Sequence, residues 1–183
     1  VCMGRVTNLL FAGITLFAWS CSAANFTVID HKTYDPEGKR WVGFGTNVSG
    51  YDWVWPRSTV GDITKIVECW KFNLLRVNCI IHPYSRYSQF DDNNDLDGMI
   101  EAFTAKKVVV MLDEHTMVGG YYGDRVDKTA EWFADFARRY IDNPYVWFNF
   151  GNEPGGWERN NDHNKWYNEA CTIIDAIRAT GSK

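Results

Sequence analysis

An amide and a carboxyl group stand side by side at Asn152-Glu153-Pro154, directly after the apolar stretch Val146–Phe150. A carboxylic acid at the rim of a cleft can donate a proton to a leaving oxygen when partial burial keeps it protonated near neutral pH. The neighbouring amide can hydrogen-bond a sugar hydroxyl at the same time. Glu153 is therefore the candidate general acid/base and Asn152 a candidate substrate-binding residue. The alternative for Glu153 is a carboxylate in a turn or at the start of a helix.

Polar side chains also stand at the ends of the other three apolar stretches. Asn47 follows the first stretch, Trp41–Gly45, and Arg76 lies within the second, Leu74–Asn78. Asp113 ends the third stretch, Val108–Asp113, and His115 follows it. The active site of a parallel barrel lies where its strands end, so we expect Asn47, Arg76 and His115 to line one substrate-binding cleft with Glu153. Arg76 could instead be an internal ion-pair partner, and His115 a hydrogen-bonded histidine at the rim. We expect Asp113 to brace the strand end or His115 rather than to react.

Aromatic residues make up 16% of the sequence and include nine tryptophans. Several of them fall in the predicted loops after strands, where an exposed ring can stack on the C–H face of a sugar. The candidate stacking residues are Trp53, Trp55, Tyr121 and Trp157. Gly119-Gly120, just before Tyr121, favours a mobile loop at that position. Ordinary burial is the alternative for every one of these rings, since aromatic side chains bury large areas.

The sequence predicts neither a metal site nor a cofactor. The four histidines lack the spacing of zinc ligands. The acidic stretch Asp91–Gly98 resembles the start of a calcium loop counted from Asn93, but Thr104 stands where the bidentate glutamate is required. We interpret this stretch as a solvated loop that caps a helix.

Strand and helix patterns alternate along the chain. The apolar runs predict strands at Trp41–Gly45, Leu74–Asn78, Val108–Asp113 and Val146–Phe150. Apolar residues at helical spacing predict helices around Ile63–Trp70, from an N-cap at Asp95 through Phe103, over Phe133–Tyr140 and over Trp166–Ile177.

This order, βαβαβαβα, predicts an α/β fold. The strands start at intervals of roughly 35 residues, close to the roughly 31 residues of one unit of a (β/α)8 TIM barrel. Only about the first four βα units of such a barrel are present, and we interpret the chain as a truncated product. A complete, small, doubly wound α/β domain is the alternative, although no glycine-rich nucleotide-binding motif supports it.

The N-terminus has the pattern of an export signal. Arg5 precedes the apolar run Leu9–Trp19, and small residues follow at Ser22, Ala23 and Ala24. We therefore predict a signal peptide at residues 1–24, a catalytic half-barrel at residues 25–183, and a secreted, extracellular protein. The net charge of −4 gives no electrostatic basis for binding nucleic acid or a membrane surface. Export would permit a disulfide, but the three cysteines beyond the signal cannot all pair with one another.

Four pieces of the sequence together resemble glycoside hydrolase family 5. Asn152-Glu153-Pro154 after a strand is similar to the acid/base signature of that family. Asn73-Leu74-Leu75-Arg76 resembles its second strand, Val108–Asp113 with His115 its third, and Phe44-Gly45-Thr46-Asn47 its first. The four pieces occur in the correct order, over about residues 41 to 178.

The resemblance implies a retaining, endo-acting hydrolase of a β-1,4-linked polysaccharide, either cellulose or β-glucan or mannan, with Glu153 as acid/base. It also implies that the nucleophile, a glutamate on the seventh strand, lies outside this chain, so that this chain alone is inactive. We further expect the full-length protein to be a monomer. A non-catalytic carbohydrate-binding or degenerate barrel protein is one alternative, and a small α/β interaction domain is another.

Overall fold

The computed structural model describes residues 24–51, 64–81, 93–116, 119–156 and 162–182. They form a small antiparallel sheet, followed by a four-stranded parallel sheet with helices along one face. The predicted signal peptide lies outside the described residues, apart from Ala24. Among the described residues, no helix has the length and apolar character needed to cross a membrane.

The antiparallel sheet contains β1 (Thr27–Ile29), β2 (Lys32–Tyr34) and β3 (Arg40–Trp41) in that order. Asp30 and His31 join β1 to β2 with φ angles of 47° and 62°. Positive φ at both central residues is the geometry of the two-residue turn that matches the twist of a hairpin.

The prediction of a strand at Trp41–Gly45 was wrong. Trp41 ends the antiparallel sheet, and the first parallel strand begins only at Gly45. The side chain of Asn73 holds the connection between them, because its Oδ1 accepts from the N–H of Phe44 at 2.7 Å and its Nδ2 donates to the carbonyl of Val42 at 2.9 Å. Hydrogen bonds to the Asn73 side chain thus take the place of the backbone hydrogen bonds that a β-strand would make here.

The parallel sheet contains β4 (Gly45–Tyr51), β5 (Leu74–Cys79), β6 (Val109–Glu114) and β7 (Val146–Asn149), hydrogen-bonded in chain order. The last three confirm the predicted strands to within a residue at each end. Gly45 lies so close to β5 that a Cβ built on it would be 1.7 Å from the carbonyl oxygen of Leu74. Only glycine permits that approach of the two backbones.

The described helices lie where the sequence predicted them, with different ends. They are a π-helical turn at Thr64–Cys69, α1 (Asn93–Thr104), α2 (Val126–Arg139), which follows a 3-10 turn at Gly123–Arg125, and α3 (His163–Ala179). Since α1 starts at Asn93, Asp95 lies in its first turn rather than at its N-cap. Asn93 and Asn94, which the sequence analysis placed before the helix, are therefore helical.

The hydrophobic core lies between the parallel sheet and the helices. Alternate side chains of the central strands, among them Leu75, Val77, Val110 and Leu112, are fully buried against Phe103 of α1. Burying one such side chain stabilises a fold by about 1.5–3 kcal/mol. The period of two along β5 turns Arg76 and Asn78 to the opposite face.

Aromatic rings close the lower end of that opposite face. Phe26 and Trp41, from the antiparallel sheet, pack edge-on against Trp147 of β7 with ring centroids 5.1 and 5.2 Å away. This floor leaves the upper end of the sheet, where the strands finish, as the open side.

Candidate active site

The parallel register places residues of the four strands, most of them polar, in two rows on the face opposite the helices. Asn47, Arg76, Met111 and Trp147 pair across the lower row. Asn78, Asp113 and Asn149 pair across the upper row, which is nearer to the strand ends. Side chains at equal register on parallel strands point to the same side of the sheet.

The carboxylate of Asp113 is at the centre of the site and is fully buried. Its Oδ1 lies 2.7 Å from Nη2 of Arg76 and accepts from Nδ2 of Asn149 at 2.5 Å. Its Oδ2 lies 2.6 Å from Nδ1 of His115. A buried charge needs such partners to offset its loss of hydration. The expectation that Asp113 braces His115 is confirmed.

Arg76 joins four segments of the chain. Besides Asp113, its Nη2 donates to Oδ1 of Asn152 at 2.9 Å, and its Nη1 donates to Oδ1 of Asn47 at 3.3 Å. The rigid, forked guanidinium suits this arrangement, because several donors leave one planar group in fixed directions. The structure therefore brings together Asn47, Arg76, His115 and Asn152, as the sequence predicted.

These bonds orient the side chains of Asn152 and His115. Because Oδ1 of Asn152 accepts from Arg76, its Nδ2, a donor, is on the other side of the amide. Because Nδ1 of His115 bonds the Asp113 carboxylate, its Nε2 is the ring nitrogen that this bond leaves unused. The site thus presents a donor from Asn152, held by the part-buried Arg76, and an imidazole nitrogen from His115, held by the buried Asp113.

Glu153 follows Asn152 in an unusual backbone conformation. Its φ is +54°, between Gly151 at +94° and Gly155 at +76°. Its carbonyl oxygen accepts from the N–H of Gly156 at 2.9 Å, which closes a tight turn, and its side chain is exposed. Glu153 is therefore exposed where β7 ends, and the partial burial that the sequence analysis expected for its carboxyl is not found among the described residues.

The structure corrects the interpretation of Tyr121 as an exposed stacking ring in a mobile loop. Only 8% of Tyr121 is exposed, its hydroxyl accepts from the N–H of Asp162 at 2.8 Å, and Nζ of Lys165 lies 4.7 Å from its ring centroid. Packing against the start of α3 buries the ring, so Tyr121 is a structural residue. The other three candidate rings, Trp53, Trp55 and Trp157, lie outside the described residues.

Asn149 is a site residue that the sequence analysis missed. It was included in a predicted strand without a role, yet it bonds Asp113 and also lies 3.4 Å from the carbonyl oxygen of Gly151. An amide within an otherwise apolar parallel strand was the available signal, because such a strand is buried on both faces.

No group of histidine, cysteine, aspartate and glutamate in the described parts of the chain is arranged to hold a metal ion. Asp97, from the stretch compared with a calcium loop, pairs with Arg139 and accepts from the hydroxyl of Tyr140 at 2.6 Å. None of the described cysteines, Cys69, Cys79 and Cys171, forms a disulfide within the described parts of the chain.

Comparison with protein families places the site in a known context. The family model described as Cellulase (glycosyl hydrolase family 5) matches residues 34–183, which include every candidate site residue. The chain belongs to glycosyl hydrolase family 5. A curated relative, endoglucanase A of Butyrivibrio fibrisolvens, is 25% identical over 157 residues, which are 81% of this chain and 37% of that protein.

Solved structures show the fold of this family 5 chain. The catalytic domain of endoglucanase Cel5A from Thermobifida fusca superposes with a TM-score of 0.71 at 19% identity, over 86% of this chain and 51% of that one. The catalytic domain of a mannanase from Streptomyces sp. SirexAA-E gives 0.66 at 22% identity, over 98% of this chain and 52% of that one. The fold is therefore that of a (β/α)8 barrel, of which the chain spans about half.

Proposed function

We propose that the full-length protein is a retaining, endo-acting hydrolase of β-1,4-linked polysaccharide, with Glu153 as its general acid/base. The observation that carries this proposal is the chain of contacts from Asp113 through Arg76 to Asn152. It fixes the residue next to Glu153 against the ends of three other strands. Family membership supports the reaction class, since the family model carries the name Cellulase.

The proposed reaction has two steps. In the first, the carboxylic acid of Glu153 gives its proton to the glycosidic oxygen, the bond from that oxygen to the sugar C1 breaks, and a second carboxylate forms an ester with C1. In the second, the Glu153 carboxylate takes a proton from water, which attacks C1 and releases the nucleophile. Asn152 Nδ2 would donate to a sugar hydroxyl beside the bond, and His115 would line the same subsite.

Retaining hydrolysis needs two carboxyl groups about 5–5.5 Å apart. Asp113 cannot be the second one, because it is fully buried and engaged by Arg76, His115 and Asn149. We place the nucleophile on a strand outside this chain, so this chain by itself would not turn over substrate.

We propose β-1,4-glucan as the first substrate, because the curated relative is an endoglucanase. Mannan is the second candidate, because the fold match to a mannanase domain extends over 98% of this chain. Polymers of this kind lie outside cells, so we further propose that the protein is exported after removal of residues 1–24. We also propose that it acts as a monomer. N-terminal sequencing and the native mass of the secreted protein would test those two points.

The decisive experiment compares full-length protein with its Glu153→Gln variant on cellulose, mixed-linkage glucan and mannan. We expect the variant to lose at least a hundredfold in rate on the preferred polymer, within the range typical of general acid–base catalysis. Glu131→Gln is the matched control, because Glu131 is an exposed glutamate on α2. Equal rates for wild type and Glu153→Gln would refute the role of Glu153, and a full-length protein that binds glucan without cleaving it would indicate a binding protein instead.

A further inference from the structure

The segment that carries Glu153 needs support from outside the strand. Glu153 has a φ of +54°, in the left-handed region that is unfavourable for a residue with a side chain. Conformations of this kind persist where the surrounding structure holds them in place. The neighbours of this segment therefore decide where the Glu153 carboxyl lies.

The loop after β6 contacts this segment near its start and also contacts the chain beyond it. At its start, the N–H of Gly119 donates to the carbonyl oxygen of Asn152 at 3.0 Å. The hydroxyl of Tyr122 lies 3.3 Å from the place where a Cβ on Gly151 would be. Beyond it, the hydroxyl of Tyr121 accepts from the N–H of Asp162, the residue that caps α3. The pair Tyr121-Tyr122 thus contacts the chain before and after Glu153.

The side chain of Glu169 binds the backbone at this pair of tyrosines. It lies on α3, is only 8% exposed, and accepts from the N–H of Tyr122 at 2.9 Å and from the N–H of Gly123 at 2.8 Å. Both oxygens of one buried carboxylate are used, and bonds of this charge-assisted kind are about twice as strong as neutral ones. A glutamine at this position would keep one acceptor but turn an N–H₂ group toward the second backbone N–H.

We propose that Glu169 is a positioning residue for the acid/base carboxyl of Glu153. It acts through the backbone of Tyr122 and Gly123, which sets Tyr121-Tyr122 against the turn at residues 151–156. The proposal rests on the proposed role of Glu153. Glu169 itself touches neither substrate nor reacting atoms.

The test uses the dependence of the first step on proton donation. A sugar leaving group must be protonated as it departs, whereas a dinitrophenolate departs with little help. The parameter kcat/KM reports the path up to formation of the ester on C1. We expect Glu169→Gln in the full-length protein to lower kcat/KM on a cello-oligosaccharide about tenfold, because small misplacements of a catalytic group carry costs of this size. On the dinitrophenyl glycoside of the same sugar we expect a change below twofold.

Asp175→Asn provides the matched control, because it makes the same carboxyl-to-amide change at an exposed position of the same helix. It should leave both substrates unaffected. Equal losses on both substrates for Glu169→Gln, or no loss on either, would overturn the proposal. If Glu169→Gln does not fold, Tyr121→Phe, which removes the acceptor for Asp162, must show the same difference between substrates, and its absence would overturn the proposal as well.

The two proposals fail in different ways. A fully active Glu153→Gln variant would refute the acid/base role of Glu153 and therefore the proposed function as well. If Glu153→Gln is defective but the effect of Glu169→Gln is the same for both leaving groups, the proposed function stands. Only the positioning role of Glu169 is then refuted.

Discussion

Arg76 and Asp113 form an ion pair across adjacent strands, with Nη2 and Oδ1 2.7 Å apart and the carboxylate fully buried. The side chain of Arg76 keeps 22% of its exposure, so one side of the pair still faces the open end of the sheet. The pair also orients two residues of the site, because the same guanidinium nitrogen bonds Asn152 and the same carboxylate bonds His115.

Replacing Asp113 with asparagine should be strongly destabilising. The change removes the counter-charge of Arg76 and leaves a part-buried guanidinium without compensation, which costs about 3 kcal/mol for a pair of this kind. Urea unfolding of the full-length protein measures this loss. Asp135→Asn is the control, because Asp135 is exposed and pairs with Arg139 at the surface, where about 0.5 kcal/mol or less is at stake. Similar losses of unfolding free energy for Asp113→Asn and Asp135→Asn would contradict the stabilising role of the Arg76–Asp113 pair.

Arg76→Lys should fold but work poorly. One ammonium group cannot reach Asn47, Asp113 and Asn152 together, so at least one charge-assisted bond, of about 1.5–3 kcal/mol, is lost. If the bond to Asn152 is the one lost, kcat/KM should fall about tenfold to a hundredfold, as steady-state kinetics on the preferred polymer would show. Arg138→Lys, at an exposed arginine of α2, should change nothing. A fully active Arg76→Lys variant would show that the fork is dispensable.

Two glycine-to-alanine substitutions should have opposite signs. Gly151 has a φ of +94°, and a Cβ there would be 3.3 Å from the Tyr122 hydroxyl, so Gly151→Ala should destabilise the protein by about 1–3 kcal/mol. Gly98 lies inside α1 with nothing within 4 Å of its added Cβ, so Gly98→Ala should stabilise by about 0.5–1 kcal/mol. Thermal unfolding of both variants checks the prediction, which a stable Gly151→Ala protein would contradict.

Glu37 should make stability sensitive to acid. Its Oε1 bonds Nζ of Lys107 at 2.6 Å and its Oε2 accepts from the hydroxyl of Tyr145 at 3.2 Å. The hydrogen bond with Lys107 is the main cause that lowers the pKa of Glu37 below its usual 4.5. Because the folded state holds this proton less tightly, the stabilisation is complete above the ordinary pKa and disappears as the pH falls through the lowered one.

The comparison of wild type with Glu37→Gln isolates that effect. The difference in melting temperature between them should be constant from pH 7 to about pH 5 and should shrink below the usual carboxyl pKa. A difference that stays the same down to pH 3 would show that the contact contributes nothing through its charge. Burial also raises the pKa of Tyr145 to about 12, with Glu37 adding to the shift, so Tyr145 stays neutral over this range.

The parallel strands could be predicted because their sequences are continuous apolar runs, such as Val109 to Leu112, that suit burial on both faces. The antiparallel hairpin could not, because its strands are only two or three residues long and largely exposed, and no alternating pattern marks them. Its role in closing the floor of the barrel depends on aromatic contacts between Phe26, Trp41 and Trp147, which are distant in sequence.

The site was predictable to the level of which residues meet, since the carboxyl ends of parallel strands lie at one edge of the sheet. The bonds among them were not, because they depend on register. Asn149 joins the site only because β7 pairs it directly with Asp113. Tyr121 was misjudged because the glycines before it indicated mobility, whereas α3 provides a surface on which the ring packs.

The alternation of side chains along β6 limits how this chain can change over evolution. Asp113 faces the site while Leu112 and Glu114, on either side of it, face the helices. Deleting or inserting one residue within β6 would exchange these faces, so that leucine or an unsupported glutamate would stand opposite Arg76. Lengthening a connecting segment leaves that order untouched. Descendants of this sequence should therefore tolerate insertions between strands and helices, while the lengths of the strands themselves stay fixed.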